Sequence, residues 1–173
     1  MKWSEDIKSE LRRSFDFKGR TARRSYFLFL SVAILAFSAA LAVVPFIAPS
    51  VSVWAKIAIV TALFYIPVTS AGVRRLHDAD LSGTLMLDPV KPILAISVTF
   101  FVLPLLYWLF PLSTGFSIWW LALSGIGTII FFAAVLGGVI MTLVFFSNTM
   151  SSLMLPSHPS ANKYGPNPHE VPT

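Results

Sequence analysis

Apolar residues dominate four long stretches of the chain, and polar residues collect between and around them. The stretches cover residues 27–47, 53–73, 93–110 and 119–146, and each carries at most one charged residue. About 20 apolar helical residues cross a bilayer core roughly 30 Å thick, where no water can satisfy an exposed backbone. The pattern therefore predicts four transmembrane helices.

A different periodicity precedes the first span. Trp3, Ile7, Leu11 and Phe15 recur every four residues, and charged residues occupy most positions between them. This spacing predicts an amphipathic helix within residues 1–18, and we interpret it as lying in the cytoplasmic interface of the membrane. The alternative is a short soluble helix that packs its apolar stripe on the helical bundle.

The fourth span and the residues after it differ from the rest. Its 28 residues would form a helix of roughly 42 Å, so we expect it to tilt, protrude or break near Gly125 and Gly127. Small residues at four-residue spacing in this span favour close packing, either inside the bundle or against a second copy. The proline-rich residues after Phe146 predict an extended, mobile tail.

The predicted fold class is therefore all-α: a polytopic membrane protein with four transmembrane helices and an N-terminal interfacial amphipathic helix. We divide the chain into the amphipathic helix at residues 1–18, a four-helix transmembrane domain at residues 19–146 and an extended cytoplasmic tail at residues 147–173.

Composition narrows the chemistry that the chain could perform. Of its 173 residues, 55% are hydrophobic and 12% are charged, and none is cysteine. The absence of cysteine excludes disulfides, thiolate nucleophiles, iron–sulfur ligation and thiolate zinc sites. We predict no catalytic residue, no cofactor and no metal ligand.

The positive charge is distributed unevenly along the chain. Basic residues crowd before the first span and occur again between the second and third spans, whereas the connectors at residues 48–52 and 111–118 carry no charge. Because loops rich in Lys and Arg stay in the cytoplasm, we expect both termini there. The net charge of +5 is therefore attributed to the membrane surface and not to nucleic acid.

Two polar motifs fall at the predicted cytoplasmic face. The first lies at the start of the first span, where Arg20 and Arg23 are within reach of lipid phosphates. The second follows the second span. If that helix continues through the motif, Arg74 faces His77 and Asp78, and Arg75 faces Asp78, at spacings of three or four residues.

The second motif admits four interpretations. Asp78 or Asp80 could fix the arginines in bidentate pairs that lock the second span to the first. Arginines left over could bind an anionic lipid headgroup or an acidic partner. His77 beside Asp78 could act as a base, although no nucleophile accompanies it. A metal site built from His77, Asp78 and Asp80 would lack a complete coordination shell.

A third motif closes the chain, and the three motifs together resemble a known family. The motif residues are, in chain order, Phe17, Gly19, Arg20, Arg23, Tyr26, Arg74, Arg75, Leu76, His77, Asp78, Ser82, Gly83, Asn162, Tyr164, Gly165, Pro166 and Pro168. In this order, between hydrophobic spans, they resemble the small bacterial inner-membrane proteins grouped as domain of unknown function 805, the YhaH-like proteins. The resemblance implies a multi-pass inner-membrane location and brings no established activity.

Three functions follow as hypotheses. The first is a non-enzymatic membrane protein whose arginine-rich cytoplasmic face binds anionic lipid headgroups or a protein partner. The second is an accessory subunit of a membrane complex, or a homo-oligomer, that uses residues 119–146 as its contact surface. The third is a transporter or membrane enzyme using His77 and Asp78, which we rank last because the spans offer few polar groups at mid-bilayer depth.

Overall fold

The structure, a computed structural model, describes the backbone of residues 2–47, 49–114 and 118–167. Side chains are described for residues 3–47, 49–102, 105 and 125–167. Within these ranges the chain is helical and has no strand beyond one isolated bridge. The helices are α1 (Lys2–Arg12), α2 (Arg23–Ile47), α3 (Val53–Asp78), a short 3₁₀ helix (Gly83–Leu87), α4 (Val90–Thr114) and α5 (Ile118–Met154).

Four helical segments are long and apolar enough to cross a membrane. They are Arg23–Ile47, Val53–Asp78, Gly83–Val102 and Gly125–Met154. Each comprises at least 20 residues, the length that a bilayer core requires of a helix. The chain is therefore an all-α membrane protein with four candidate spans, which confirms the predicted fold class.

The helices extend beyond the hydrophobic stretches of the sequence. α3 continues to Asp78, so Arg74 to Asp78 of the second motif are part of the helix, whereas Ser82 and Gly83 follow it. α5 runs for 37 residues without interruption, roughly 55 Å at the usual rise per residue. The expected break near Gly125 and Gly127 is absent, because a glycine weakens a helix by only about 1 kcal/mol and does not remove a hydrogen bond.

The chain divides into two compact units. The first contains α1, α2, α3 and the residues that follow Met150, and the second contains residues 87–150. In the first unit, Phe37 of α2 meets Phe64 of α3 edge to face at 5.6 Å between ring centroids. In the second, Gly138 of α5 lies directly against the side chain of Ile96 in α4, which is the close approach that a small residue permits.

A surface helix of a soluble protein buries its apolar side, whereas α1 exposes most of its apolar residues. The stripe residues Trp3 and Leu11 and the following Phe15 are 60%, 56% and 77% exposed, whereas Glu10 and Ser14 are buried. α1 therefore packs on the rest of its unit through Glu10 and leaves most of its apolar stripe uncovered, with only Ile7 half-buried. The alternative that the stripe packs on the bundle is wrong.

The residues after α5 return to the end of α3. Helix α5 itself extends through Met154, and a tight turn follows in which Asn162 and Gly165 exchange backbone hydrogen bonds of 3.1 and 3.0 Å. The expectation of an extended tail does not hold for residues 155–167, because their polar backbone groups find partners within the unit. Residues 168–173, including Pro168 of the closing motif, lie outside the described part of the chain.

Candidate functional site

Three buried arginines form the centre of the first unit. Arg20 precedes α2, and Arg74 and Arg75 occupy the last turns of α3; their side chains are 1%, 0% and 0% exposed. A guanidinium keeps its charge in proteins, so each buried one needs acceptors for its N–H groups. We call these arginines, together with Glu10 and Asp78, the arginine cluster.

Asp78 is shared by two of the arginines. The Nε atom of Arg20 donates to its Oδ1 at 3.0 Å, and Nη1 of Arg75 donates to its Oδ2 at 2.6 Å. The hydroxyl of Ser157 donates to the same Oδ2. Since Arg20, Asp78 and Ser157 belong to separate segments, this one carboxylate joins the segment before α2, the end of α3 and the residues after α5.

Arg74 pairs with a different acid. Its Nη2 atom lies 2.5 Å from Oε2 of Glu10, and the hydroxyl of Thr21 donates to the other oxygen of Glu10 at 3.2 Å. The expectation that Arg74 faces His77 and Asp78 is therefore wrong. Successive side chains of a helix point about 100° apart, so Arg74 and Arg75 point to different sides of α3.

Two of the arginines also cap the ends of other helices. Nη1 of Arg74 donates to the carbonyl oxygen of Arg13, just after α1, at 2.7 Å. Nε of Arg75 donates to the carbonyl oxygen of Leu153, in the last turn of α5, at 3.1 Å. The last carbonyls of a helix lack partners within the helix and carry partial negative charge, so a guanidinium stabilises them on both counts.

Arg20 binds the residues after α5. Its Nη1 atom donates to the carbonyl oxygens of Ser160 at 2.9 Å and Gly165 at 3.3 Å. Its Nη2 atom donates to the carbonyl oxygen of His158 at 2.8 Å and to that of Asp78 at 3.3 Å. The planar fork of arginine suits such a divergent set of acceptors, which a lysine ammonium could not satisfy in the same geometry.

The loop between α1 and α2 places Arg20. Gly19 adopts a φ of 84°, a backbone conformation that glycine accepts without strain. Immediately before it, Asp16 accepts a hydrogen bond from the Lys18 backbone N–H at 2.9 Å. This bond, with help from the nearby Arg13, holds the pKa of Asp16 below its usual value of 3.8.

His77 is held between the first and third motifs. Its ring stacks on Tyr164 at 3.7 Å with the two planes 6° apart, and its Nδ1 atom lies 3.3 Å from the carbonyl oxygen of Gly19. Its own carbonyl accepts from the side-chain amide of Asn162 at 2.8 Å. Gly83 packs beside it, since a Cβ there would lie 3.1 Å from Nε2 of His77.

The contacts of Asp78 and His77 decide whether the two residues form the acid–base pair of the catalytic interpretation. The carboxylate of Asp78 is occupied by Arg20, Arg75 and Ser157. The ring of His77 contacts Tyr164 instead and has no hydrogen bond to that carboxylate. The two residues are therefore adjacent in sequence without forming the hydrogen-bonded pair that a general base needs for orientation.

Several residues that the sequence singled out lie at the edge of the cluster or outside it. Asp80 is exposed, with a φ of 60°, and has no ion pair among the residues described. Ser82 is exposed and lies 2.9 Å from the hydroxyl of Thr84, and Pro166 is also exposed. In the described part of the chain no three His, Asp or Glu residues are grouped as metal ligands.

The first motif is divided between the interior and the surface. Tyr26 is fully buried, its ring contacts Phe27 at 5.2 Å, and its hydroxyl has no hydrogen-bond partner among the residues that the structure describes. Arg23 and Arg24 are exposed on the first turn of α2. The structure thus brings Arg20, of the first motif, into the arginine cluster but leaves Arg23 outside it.

Sequence reasoning missed Glu10, which belongs to the arginine cluster, and Ser157, which contacts it. Glu10 lies three residues after Ile7 and seven after Trp3, so it flanks the apolar stripe of α1, and this charged position beside the stripe could have marked it as a contact. Ser157 follows α5 in a segment whose composition gave no indication of order. The carbonyl oxygens that accept from the three arginines carry no signal in the sequence at all.

The fold and the cluster define a small multi-pass membrane protein whose three sequence motifs meet around buried arginines. A family model described as a protein of unknown function (DUF805) matches residues 14–166. The chain belongs to this family, which confirms the resemblance drawn from the motifs. No curated protein and no solved structure gives a significant match to the chain.

Proposed function

We propose that this chain is a non-enzymatic integral membrane protein whose basic face binds anionic lipid headgroups on the cytoplasmic side of a bacterial inner membrane. The observation that supports this best is the uncovered apolar stripe of α1. Trp3, Leu11 and Phe15 are exposed, while Glu10, which flanks the stripe on the same helix, is fixed by its ion pair with Arg74. α1 is thus held with its apolar side outward.

A stripe held outward in this way suits the boundary between headgroups and acyl chains. Fully burying one large apolar side chain is worth about 1.5–3 kcal/mol, and amphipathic helices gain this free energy by lying in the interface plane. Arg24 lies over the ring of Trp3, 6.0 Å from its centroid. A tryptophan beside a cation is typical of the headgroup level of a membrane.

The basic residues that would meet lipid are those outside the arginine cluster. Arg20, Arg74 and Arg75 are buried and already satisfied, so they cannot serve as the lipid contacts that the sequence suggested. Exposed basic side chains of the N-terminal region remain for that role: Lys8, Arg12, Lys18, Arg23 and Arg24. Each contributes about 1 kcal/mol of attraction near an anionic leaflet.

The same contacts support a proposed orientation across the membrane. α1, through Glu10, and the residues after α5, through Ser157, both bind the C-terminal end of α3, so they share one face of the protein. The rule that basic loops stay inside supports a cytoplasmic assignment for this face.

The placement of α1 is tested with labelled single-cysteine variants, since the chain has no native cysteine. We expect a fluorophore on Leu11→Cys, in vesicles containing phosphatidylglycerol, to be quenched by lipid-borne quenchers. The matched control is Glu5→Cys, which is exposed on the polar side of α1 and should be quenched by aqueous iodide instead. Equal aqueous quenching at both positions would overturn the proposed placement.

The preference for anionic lipid is tested separately by co-purification from vesicles of mixed composition. We expect the protein to retain phosphatidylglycerol in preference to phosphatidylcholine and to lose that preference as salt is raised, because exposed charges are screened. Retention of both lipids in the proportion supplied would contradict the proposed function.

A further inference from the structure

A groove on the outer side of α2 combines two exposed arginines with an apolar floor. It is a shallow depression, open to its surroundings, of about 550 Å³, lined by Arg23, Arg24, Phe27, Leu28 and Ser31. These residues form the first turns of a candidate membrane span. The groove therefore begins where headgroups lie and continues toward the depth of the acyl chains.

The two arginines of the groove lack a carboxylate partner in the described ranges, and Arg24 lies over the ring of Trp3. Both arginines are exposed, and no carboxylate in the described ranges lies within ion-pair distance of either one. Arg20, only three residues earlier, is fully occupied by Asp78 and by the residues after α5. Two unpaired guanidinium groups on adjacent residues give a site of strong positive charge.

The deeper part of the groove offers no free hydrogen-bond donor for a soluble anion. Phe27 and Leu28 are apolar, and the hydroxyl of Ser31 is already donated to the carbonyl oxygen of Phe27 at 2.9 Å. A free phosphate would find partners only at the arginine end. An acyl chain, by contrast, suits the apolar floor, and the volume falls within the range of small-molecule sites.

We propose that this groove binds one anionic phospholipid per chain. Its phosphate lies against the guanidinium groups of Arg23 and Arg24, which can form charge-assisted bidentate contacts with phosphate oxygens, and one acyl chain lies along Phe27 and Leu28. The inference rests on the proposed function and sharpens it, since it assigns lipid binding to one site with a fixed stoichiometry.

The test is native mass spectrometry of the full chain released from nanodiscs of phosphatidylglycerol and phosphatidylcholine. We expect one phosphatidylglycerol to remain bound to the unmodified protein, and Arg23→Gln with Arg24→Gln to weaken its binding at least about tenfold. The matched control is Lys91→Gln with Lys163→Gln, which removes the same charge from exposed residues that have no proposed lipid contact and should keep the bound lipid.

Leu28→Trp provides a second variant that keeps both arginines and fills the floor of the groove. We expect it to lose the bound lipid as well. Millimolar inorganic phosphate should leave the lipid in place; displacement by phosphate, with no effect of Leu28→Trp, would instead indicate a simple anion site and overturn the lipid assignment.

The outcomes separate this inference from the proposed function. If the groove variant and its charge-matched control lose lipid equally, general attraction to the anionic surface survives and the single-lipid site is refuted. If neither variant alters lipid retention, both proposals are refuted.

Discussion

Two sets of arginines differ in their surroundings although they lie close together in the fold. Arg20, Arg74 and Arg75 are buried, and each is bound by a carboxylate and by backbone carbonyls. Arg23 and Arg24 are exposed and lack a carboxylate among the residues described. The same side chain thus joins segments in the first set and remains available to a ligand in the second.

The comparison separates two interpretations that the sequence left together. A structural lock describes the second motif, since Asp78 and Glu10 hold the arginines of α3 to neighbouring segments. The proposed lipid-binding arginines are instead the exposed pair at the start of α2. Removing one partner of a buried pair leaves an uncompensated charge and costs far more than removing an exposed charge, so the two sets should respond differently to mutation.

The largest effect is expected at the shared carboxylate. Asp78→Asn leaves two buried arginines without their anion and should lower the free energy of unfolding by about 3–5 kcal/mol. Thermal unfolding in mild detergent measures this loss. Asp80→Asn is the matched control, because Asp80 is exposed and unpaired among described residues, and it should unfold like the original protein. Equal stability of the two variants would contradict the buried cluster.

A smaller effect is expected at the acid that fixes α1. Glu10→Gln keeps an acceptor for Thr21 but removes the negative partner of Arg74, and should cost about 2 kcal/mol. Faster proteolysis between α1 and α2 would report the loosened helix. Glu5→Gln, on an exposed part of α1, should leave the cleavage rate unchanged. If both variants are cleaved alike, the ion pair does not hold α1 in place.

A local effect is expected where Arg20 binds the residues after α5. Arg20→Lys retains a positive charge near Asp78 but loses the fork that reaches His158, Ser160 and Gly165. Hydrogen exchange in residues 158–165 should accelerate about tenfold, for a loss near 1.4 kcal/mol. Arg23→Lys serves as the control and should leave this exchange unchanged; protection that persists in Arg20→Lys would show that other contacts hold the segment.

The smallest effect on stability is expected at the exposed pair. Arg23→Gln with Arg24→Gln should change the free energy of unfolding by no more than about 0.5 kcal/mol, as is usual for surface substitutions. The same thermal unfolding measurement checks this in lipid-free detergent. A loss comparable to that of Asp78→Asn would place these arginines with the buried set and remove the contrast between the two.

The extent to which the sequence predicts this structure depends on the range of the contacts. Hydrophobic stretches predict the four spans, and the three-residue spacing of Arg75 and Asp78 predicts their ion pair. The pairing of Arg74 with Glu10 spans 64 residues, and no local pattern tells which of two adjacent helical side chains turns toward α1. That contact follows from how α1 packs, which the sequence pattern leaves undetermined.

For the third motif, the sequence could predict the local turn but not the contacts that the turn makes. Composition predicted an extended tail, because prolines are frequent and apolar residues are few after Phe146. Asn162 and Gly165 are nevertheless residues that favour turns, and Gly165 adopts a φ of 137°. The turn was therefore open to prediction, whereas its docking on Arg20 and His77 depends on tertiary contacts alone.

The closure of the cluster by residues 153–165 has a consequence for biogenesis. A ribosome makes Arg20 and Arg75 long before the carbonyl groups of His158 and Leu153 that later satisfy them. During insertion by the translocon these two cations must remain hydrated or borrow lipid phosphates as temporary partners. A chain truncated after α5 would keep Asp78, Glu10 and the carbonyl of Leu153, but Arg20 would lose its acceptors on His158, Ser160 and Gly165.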